Sequence, residues 1–552
     1  MMKIKTVLHS VAIALMALTL WSCYEDKGNY VYDESIHDIS VSLPSSFVVK
    51  LQKNKFTYTI TPTVKTVDGD SASLQYVWMR VNESLGYMDT VATTKSLAFE
   101  IDPSSKDFSY EYKFRLYVTD PKTQGLTMVP TSLTLAKPYT KSWLVLHEVN
   151  GHAELGSVDY SSGQMLVTPN AYSSDQGKSL TGKPYWLGVA KDYIQSNTYW
   201  YYPSKMTSEI YLGTSNAAEC GLVDQVQYLT VLLPWQYLLV SSQMADLDLS
   251  STQTSAGAAG VLLASKGKAF RNCDYSPCFF ELNPSAQFEG DYYITKVVAG
   301  PSCGLAYDSI GHRFALLNYG YSNWYGVPQT SVKSAGEISP ISTTTSTGAN
   351  PNAIPEDEQV ISLMNGYRYS LANPGAWLKY SAYAYALCPD GKSKVYVFHY
   401  RPLINVTSDG DNALSAVYQF ATPQGLTAST PMCSSYVYNN IIFYAVGNTI
   451  YKLDFATGKT TAVYTCEGSS VRITKLRMAV EGYLEANTGF DNYSSYGHPY
   501  TQCLGAAVET ADGQGEIVVL QLNNAGNIDS DKTYPSVQVH KGFGKIADFD
   551  FI

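Results

Sequence analysis

Few residues in this 552-residue chain have the spacing that chemistry demands. His147, Glu148 and His152 come nearest to a zinc site, but a helical zinc pair needs histidines four apart on one face. Here they are five apart across Asn150-Gly151, a pair that reads as a tight hairpin turn. Asp409-Gly410-Asp411-Asn412 and Asp529-Ser530-Asp531 are acidic turns, and neither is followed by the distal glutamate that completes a calcium loop. Cys273 and Cys278 lack both the spacing and the second pair of a zinc knuckle. Nucleophile-elbow, phosphate-loop and dinucleotide fingerprints are absent, so the sequence predicts no metal, no cofactor and no catalytic residue. What it offers is aromatic rings set among Asn, Ser and Gly. The candidates for ligand contact are Tyr199, Trp200 and Tyr202; Tyr321, Trp324 and Tyr325; Tyr367, Tyr369 and Trp377; and Tyr493 with Tyr496. Exposed rings beside amides and hydroxyls stack on sugars or pack against peptides at small entropic cost. The competing structural reading is that most of these rings pack onto strands.

Composition supports that structural reading for the bulk of the chain. There are 45 tyrosines against 18 phenylalanines, and Tyr suits half-buried strands. Hydrophobic content of 45% with 16% charged residues describes a folded chain rather than a disordered one. A net charge of -10 with no Lys/Arg-rich run excludes a phosphate-backbone partner, hence nucleic acid. Of nine cysteines, eight follow Cys23, an even number that fits either disulfides or buried free thiols.

The elements that hold these residues begin with an export signal. Lys3 and Lys5 precede an apolar run from Val7 to Leu20, too short to span a bilayer, so residues 1–22 read as a signal peptide. Leu20-Trp21-Ser22-Cys23 resembles a bacterial lipobox, which implies cleavage before Cys23 and lipidation of its thiol. Each buried methylene of the acyl chains would contribute about 0.8 kcal/mol to membrane anchoring. Glu25 and Asp26 sit in a 23–35 tether and resemble the signal that sends Bacteroidetes lipoproteins to the outer face of the outer membrane.

Residues 36–137 alternate in short strand-like runs such as FTYTITPTV, LQYVWMRV and YKFRLYVTD, separated by turns, as an Ig-like sandwich of six or seven strands requires. Tyr76-Val77-Trp78 and the run Tyr112 to Asp120 resemble the Y-x-W and Y-x-x-x-L-x-V-T-D signatures of PKD-like domains. With Cys23 to Tyr30 (CYEDKGNY) and the later Trp143-Leu144-Val145-Leu146, they resemble the PKD-like family of Bacteroidetes lipoproteins. The resemblance implies a spacer or interaction module, with Trp78 in its core. It also implies an accessory role beside a SusC/SusD-type outer-membrane uptake system.

Residues 138–552 read as hairpins. Asn150-Gly151 joins Val145 to Val149 with Ala153 to Val158, and Ile441 to Tyr464 reads as a three-strand meander turning at Gly447-Asn448 and Thr457-Gly458. Corners after Asp159, Asp308 and Asp454 are alike and are expected between outer strands of propeller blades. At ~50 to 60 residues per blade this segment predicts a β-propeller of about seven or eight blades. Lys545 to Ile552 is expected to pair with the segment's first strands and close the ring. Ser173 to Leu180 resembles one sialidase-type Asp box, a structural turn, and no arginine triad accompanies it.

The expected fold is therefore all-β, an N-terminal Ig-like (PKD-like) sandwich followed by the propeller. The expected function is a non-enzymatic binding lipoprotein, anchored through Cys23 on the cell surface, that captures a glycan, peptide or partner protein. Two alternatives stand beside it. One is a carbohydrate-active propeller enzyme using carboxylates and His312 or His399 in a central channel. The other is a scaffold for protein assembly.

Overall fold

The computed structural model describes residues 39–66, 73–82, 86–160, 165–191, 208–225, 227–239, 241–257, 260–273, 276–300, 303–318, 336–342, 347–367, 383–389, 392–400, 413–468, 471–479, 502–530 and 535–552. The chain forms two compact units, one of 1–47, 56–101 and 111–133, the other of 48–55, 102–110 and 134–552.

The first is a sandwich. A five-stranded sheet runs in the order Ser46–Lys50, Leu126–Ala136, Glu111–Thr119, Gln75–Asn82, Tyr87–Ala92. Two strand pairs, Phe56–Ile60 with Leu97–Ile101 and Ser40–Ser42 with Thr63–Lys65, complete it. Alternation along Glu111–Thr119 buries Tyr112, Phe114, Leu116 and Val118. Phe99 of the facing pair meets Tyr112 and Phe114 edge-on at 4.8 and 5.0 Å. Trp78 is fully buried opposite Leu116, and its Nε1 donates to the carbonyls of Thr94 (3.2 Å) and Lys95 (3.3 Å). Asp120 ends the long strand by accepting from the Lys122 amide and the Thr123 hydroxyl. The Y-x-W and V-T-D residues therefore serve the core and its turn.

The second unit is a seven-bladed propeller among its described residues. Blade 1 is Pro184–Lys191, Ser208–Thr214, Gly221–Asp224 and Thr230–Pro234; blade 2 is Gln253–Gly257, Gly260–Ser265, Lys268–Cys273 and Ser276–Glu281. Blade 3 is Ile294–Ala299, Cys303–Asp308, Arg313–Asn318 and Glu337–Pro340, with Asn283–Pro284 added in parallel at its outer edge. Blade 4 is Ser362–Asn365, Tyr383–Cys388, Lys392–His399 and Leu414–Ala421; blade 5 is Met432–Ser434, Ile441–Val446, Thr449–Asp454 and Lys459–Thr465. Blade 6 is Arg472–Met478, Cys503–Glu509, Gly515–Gln521 and Val537–Phe543. Blade 7 joins the chain's last strand, Lys545–Phe551, to Ser142–Val149, His152–Asp159 and Leu166–Thr168. The first strand of each blade packs against the first strand of the next, from 1 to 7 and back to 1. Closure by Lys545–Phe551 is the expected one, and it leaves no blade with an open inner neighbour.

Local chemistry explains the turns. Asn150 (φ 51°) and Gly151 (φ 82°) make the expected type I′ turn, and Gly447 (φ 61°) opens the meander. The Asp454 corner lies between the third and fourth strands of blade 5, where its carboxylate accepts from the amides of Ala456 and Thr457. The Asp308 corner is different. It joins the second and third strands of blade 3, because the Asp308 carboxylate gathers the amides of Tyr293, Ile310 and Gly311 and the Arg313 guanidinium. Ser173 to Leu180 is not an Asp-box turn either: Ala171–Gln176 is a short helix ended by Gly177 (φ 69°), and Asp175 accepts the Tyr139 hydroxyl.

Between blades the core is aromatic. Trp186 and Trp235 pack at 5.7 Å, Phe314 meets Phe398 at 4.7 Å, and Tyr385 meets Phe455 at 4.9 Å. Four tyrosines here, Tyr211, Tyr396, Tyr400 and Tyr385, have their phenol oxygens engaged by Glu209, Glu358, Asn365 and the Tyr367 amide. Among the described residues Cys220, Cys303, Cys433 and Cys466 are thiols in no disulfide. No helix among those residues is long and apolar enough to cross a membrane.

Candidate ligand-binding face

Antiparallel blades sort their connections by end. Links from first to second and from third to fourth strands leave at one end of the ring, here the front; the other links leave at the back. Four segments carry the aromatic candidates other than Tyr367: 192–207, 319–335, 368–382 and 480–501. Their described flanks are Lys191 and Ser208, Asn318 and Gly336, Tyr367 and Tyr383, and Ala479 and Gln502. All eight flanking residues are at the front.

Of the candidates, Tyr367 is described. It follows the first strand of blade 4 half-buried, its amide donates to the Tyr385 hydroxyl (3.1 Å), and its carbonyl accepts the Tyr383 amide (3.1 Å). Tyr199, Trp200, Tyr202, Tyr321, Trp324, Tyr325, Tyr369, Trp377, Tyr493, Tyr496 and the lipidation candidate Cys23 lie outside the described residues. Sequence reading missed a pair beside Tyr367: Tyr383 stacks on His399, with centroids 4.9 Å apart and planes 22° from parallel. Their pairing follows from the register Tyr383↔His399 between two strands, which no local pattern specifies. His399 is thus on the third strand of its blade, and His312 (φ 45°) is in a back-end turn. Neither lies on a first strand, so the two do not converge in a central channel. His147 is no ligand either: its Nε2 donates to the Pro169 carbonyl (2.8 Å) and its Nδ1 accepts the Gly544 amide (2.9 Å), which ties blade 7's closing connection.

Beneath the face, first strands present backbone groups that no sheet pairs, and side chains of adjoining first strands take them up. Asp548 and Asp550 of blade 7 accept the Leu187 and Val189 amides of blade 1 at 3.2 and 3.3 Å. Ser255 accepts the Ala299 amide (2.9 Å), Asn365 donates to the Ala299 carbonyl (2.9 Å), and Ser434 donates to the Asn365 carbonyl. Arg477 of blade 6 reaches both Asp548 oxygens at 3.3 Å, with Lys475 at 3.7 Å. Burial by itself would push the Asp548 carboxyl up. The Lys475 and Arg477 charges and the amides of Leu187 and Phe549 outweigh that, so it titrates below the usual carboxylate range. This belt makes the ring a rigid platform for whatever the front carries.

The comparisons with known proteins bear on the first part of the chain. Residues 23–184 match the PKD-like family. The match takes in the sandwich and the first hairpin of the propeller, less than a third of the chain. No curated protein matches. Among solved structures, a quinonprotein alcohol dehydrogenase-like protein from Bacteroides thetaiotaomicron aligns with TM-score 0.38 and 13% identity, over 92% of this chain and 94% of that one. The dihydro-heme d1 dehydrogenase NirN aligns with TM-score 0.32 and 9% identity, over 79% and 72%. The WD40 domain of SCAP from fission yeast aligns with TM-score 0.31 and 11% identity, over 64% and 73%. At such identities and scores, none of their chemistry transfers to this chain.

Proposed function

We propose that this protein is a surface-anchored, non-enzymatic lipoprotein that captures a glycan or peptide on the front of its propeller. The observation that carries the reading is the common end of the ring at which the aromatic-bearing segments leave and rejoin their blades, over a platform cross-braced by first-strand side chains. Tyr and Trp rings carried at that end would offer a ligand apolar contact, and the Asn and Ser beside them in the sequence would supply hydrogen bonds. The lipobox at Cys23 supports attachment to the outer membrane, and the Bacteroidetes-type leader supports display outward beside a SusC/SusD-like transporter.

The test is binding and product release by the ectodomain, residues 34–552, against plant, mucin and microbial glycans and mixed peptides. Saturable binding to one class without turnover is expected, weakened by about 1 to 3 kcal/mol on Trp324→Ala or Trp200→Ala if the rings are stacking hot spots. Released product would overturn the non-enzymatic reading. Absence of binding to every class would overturn capture.

A further inference from the structure

Glu209 opens the second strand of blade 1 at the front of the ring and is buried, with 2% of its surface exposed. One of its oxygens, Oε2, receives both of its hydrogen bonds, from the Tyr211 hydroxyl (2.9 Å) and from Asn272 Nδ2 (2.9 Å). Asn272 belongs to the third strand of blade 2 and is locked there, because its Oδ1 accepts the Val261 amide at 2.7 Å. The carboxyl group therefore bridges the seam between two blades. Aromatic rings pack around it, Tyr211 meeting Phe279 edge-on at 5.1 Å and Trp235 at 6.1 Å, and the buried Asp224 lies one residue past the Ile210↔Val223 pair on the neighbouring strand.

No cation compensates this carboxyl among the described side chains. On the strands around it, Asp224 accepts the Gln227 amide, and Arg271 precedes Asn272 and alternates to the opposite face of its sheet. Lys268 is spent on Asp246 and Glu281, each at 3.0 Å. Tyr185, on the first strand of blade 1, is a phenol. Burial pushes the Glu209 carboxyl up to about 7, against the lowering effect of its bonds from Tyr211 and Asn272.

We propose that Glu209 is a proton-dependent latch between blades 1 and 2. As a neutral acid it sits in the seam with its two donors satisfied. As an anion it is a buried charge with no cation, and the least costly relief is local opening of the seam to water. Opening frees the start of Ser208–Thr214, at the end of the ring where segment 192–207 rejoins blade 1. The front would thus be tight below neutral pH and looser above it. This holds whatever the front binds.

The experiment is amide hydrogen exchange on the full ectodomain at pH 6 and pH 8, corrected for the intrinsic pH dependence of exchange. It reads peptides covering 208–214 and 260–273, with 441–446 of blade 5 as control. For a group that titrates near 4.5 when open and near 7 when closed, opening should rise about tenfold between these pH values. Glu209→Gln keeps the shape and removes the titration, so its protection should be the same at both, and the control peptide should not change in either protein. Unchanged protection in the wild type, or an equal rise in Glu209→Gln, would overturn the latch. Should Glu209→Gln not fold, the infrared carboxyl band of isotope-labelled wild-type protein decides: loss of the buried acid band around neutrality supports the latch, and its absence at pH 6 overturns it.

Discussion

Phe549→Ala probes whether the closing strand holds the propeller together. Phe549 is fully buried on that strand, pairs with Val145 and lies 5.4 Å from the Trp143 ring. Truncating a buried Phe costs about 3–5 kcal/mol through lost transfer energy and the cavity left behind. Against a typical domain stability of about 5–15 kcal/mol, that is a large fraction. The seam to blade 6 supplies an internal control. A Cβ built on Gly505 would lie 2.7 Å from Phe549 Cε2 and 2.8 Å from Trp143 Cη2, so Gly505→Ala alone overpacks the site, at a cost of about 1–3 kcal/mol. Removing the phenyl ring relieves half of that clash, so the double variant should be about 1 kcal/mol more stable than the sum of the single ones predicts. Urea unfolding of the ectodomain, followed by tryptophan fluorescence, measures all four proteins. A cost below ~1 kcal/mol for Phe549→Ala, or strict additivity with Gly505→Ala, would refute the idea that this strand is a packed part of the ring.

Two further outcomes follow from buried charge. His540, on the outer strand of blade 6, is buried, its Nε2 has no hydrogen-bond partner among the described residues, and burial pushes it down to about 4. Because the folded state holds this ring neutral, its contribution is present above about 6.5 and is lost as pH falls towards 4. Unfolding at pH 7.5 and 4.5 should show His540→Leu losing about 2–3 kcal/mol less than wild type over that interval, and equal losses would contradict it. Asp548→Ala should cost about 2–4 kcal/mol by stranding Arg477 and the Leu187 amide. Adding Arg477→Met should recover part of that in the same denaturation assay, and no recovery would mean that the pair is not coupled.

Elements specified by neighbouring residues were legible in the sequence. Asn150-Gly151 and Gly447 supply backbone conformations that other residues resist, so their hairpins could be read directly. Period-two alternation put Tyr76 and Trp78 on one face of their strand, the buried one, and marked Tyr112 to Asp120 as a strand ending in a turn. The Asp308 corner was misjudged because an Asp turn looks alike between any two strands; its place was decided by Tyr293 and Arg313, which the fold brings to it. The Asp-box resemblance failed for the same reason, since Tyr139 and the Glu154 carboxylate, which accepts the Ser173 amide, favour a helix there.

By itself, then, the sequence determined the β character, the two-part order and the hairpins, all set by local backbone preference and alternation. Only the tertiary structure decided the count of seven blades, the cross-blade belt through Asp548 and Asn365, the Tyr383–His399 stack and the buried bridge from Glu209 to Asn272. Each of these depends on side chains brought together from separate strands. Such pairings are selected by burial and hydrogen-bond satisfaction across the whole ring, and a linear pattern of residue types carries no record of them.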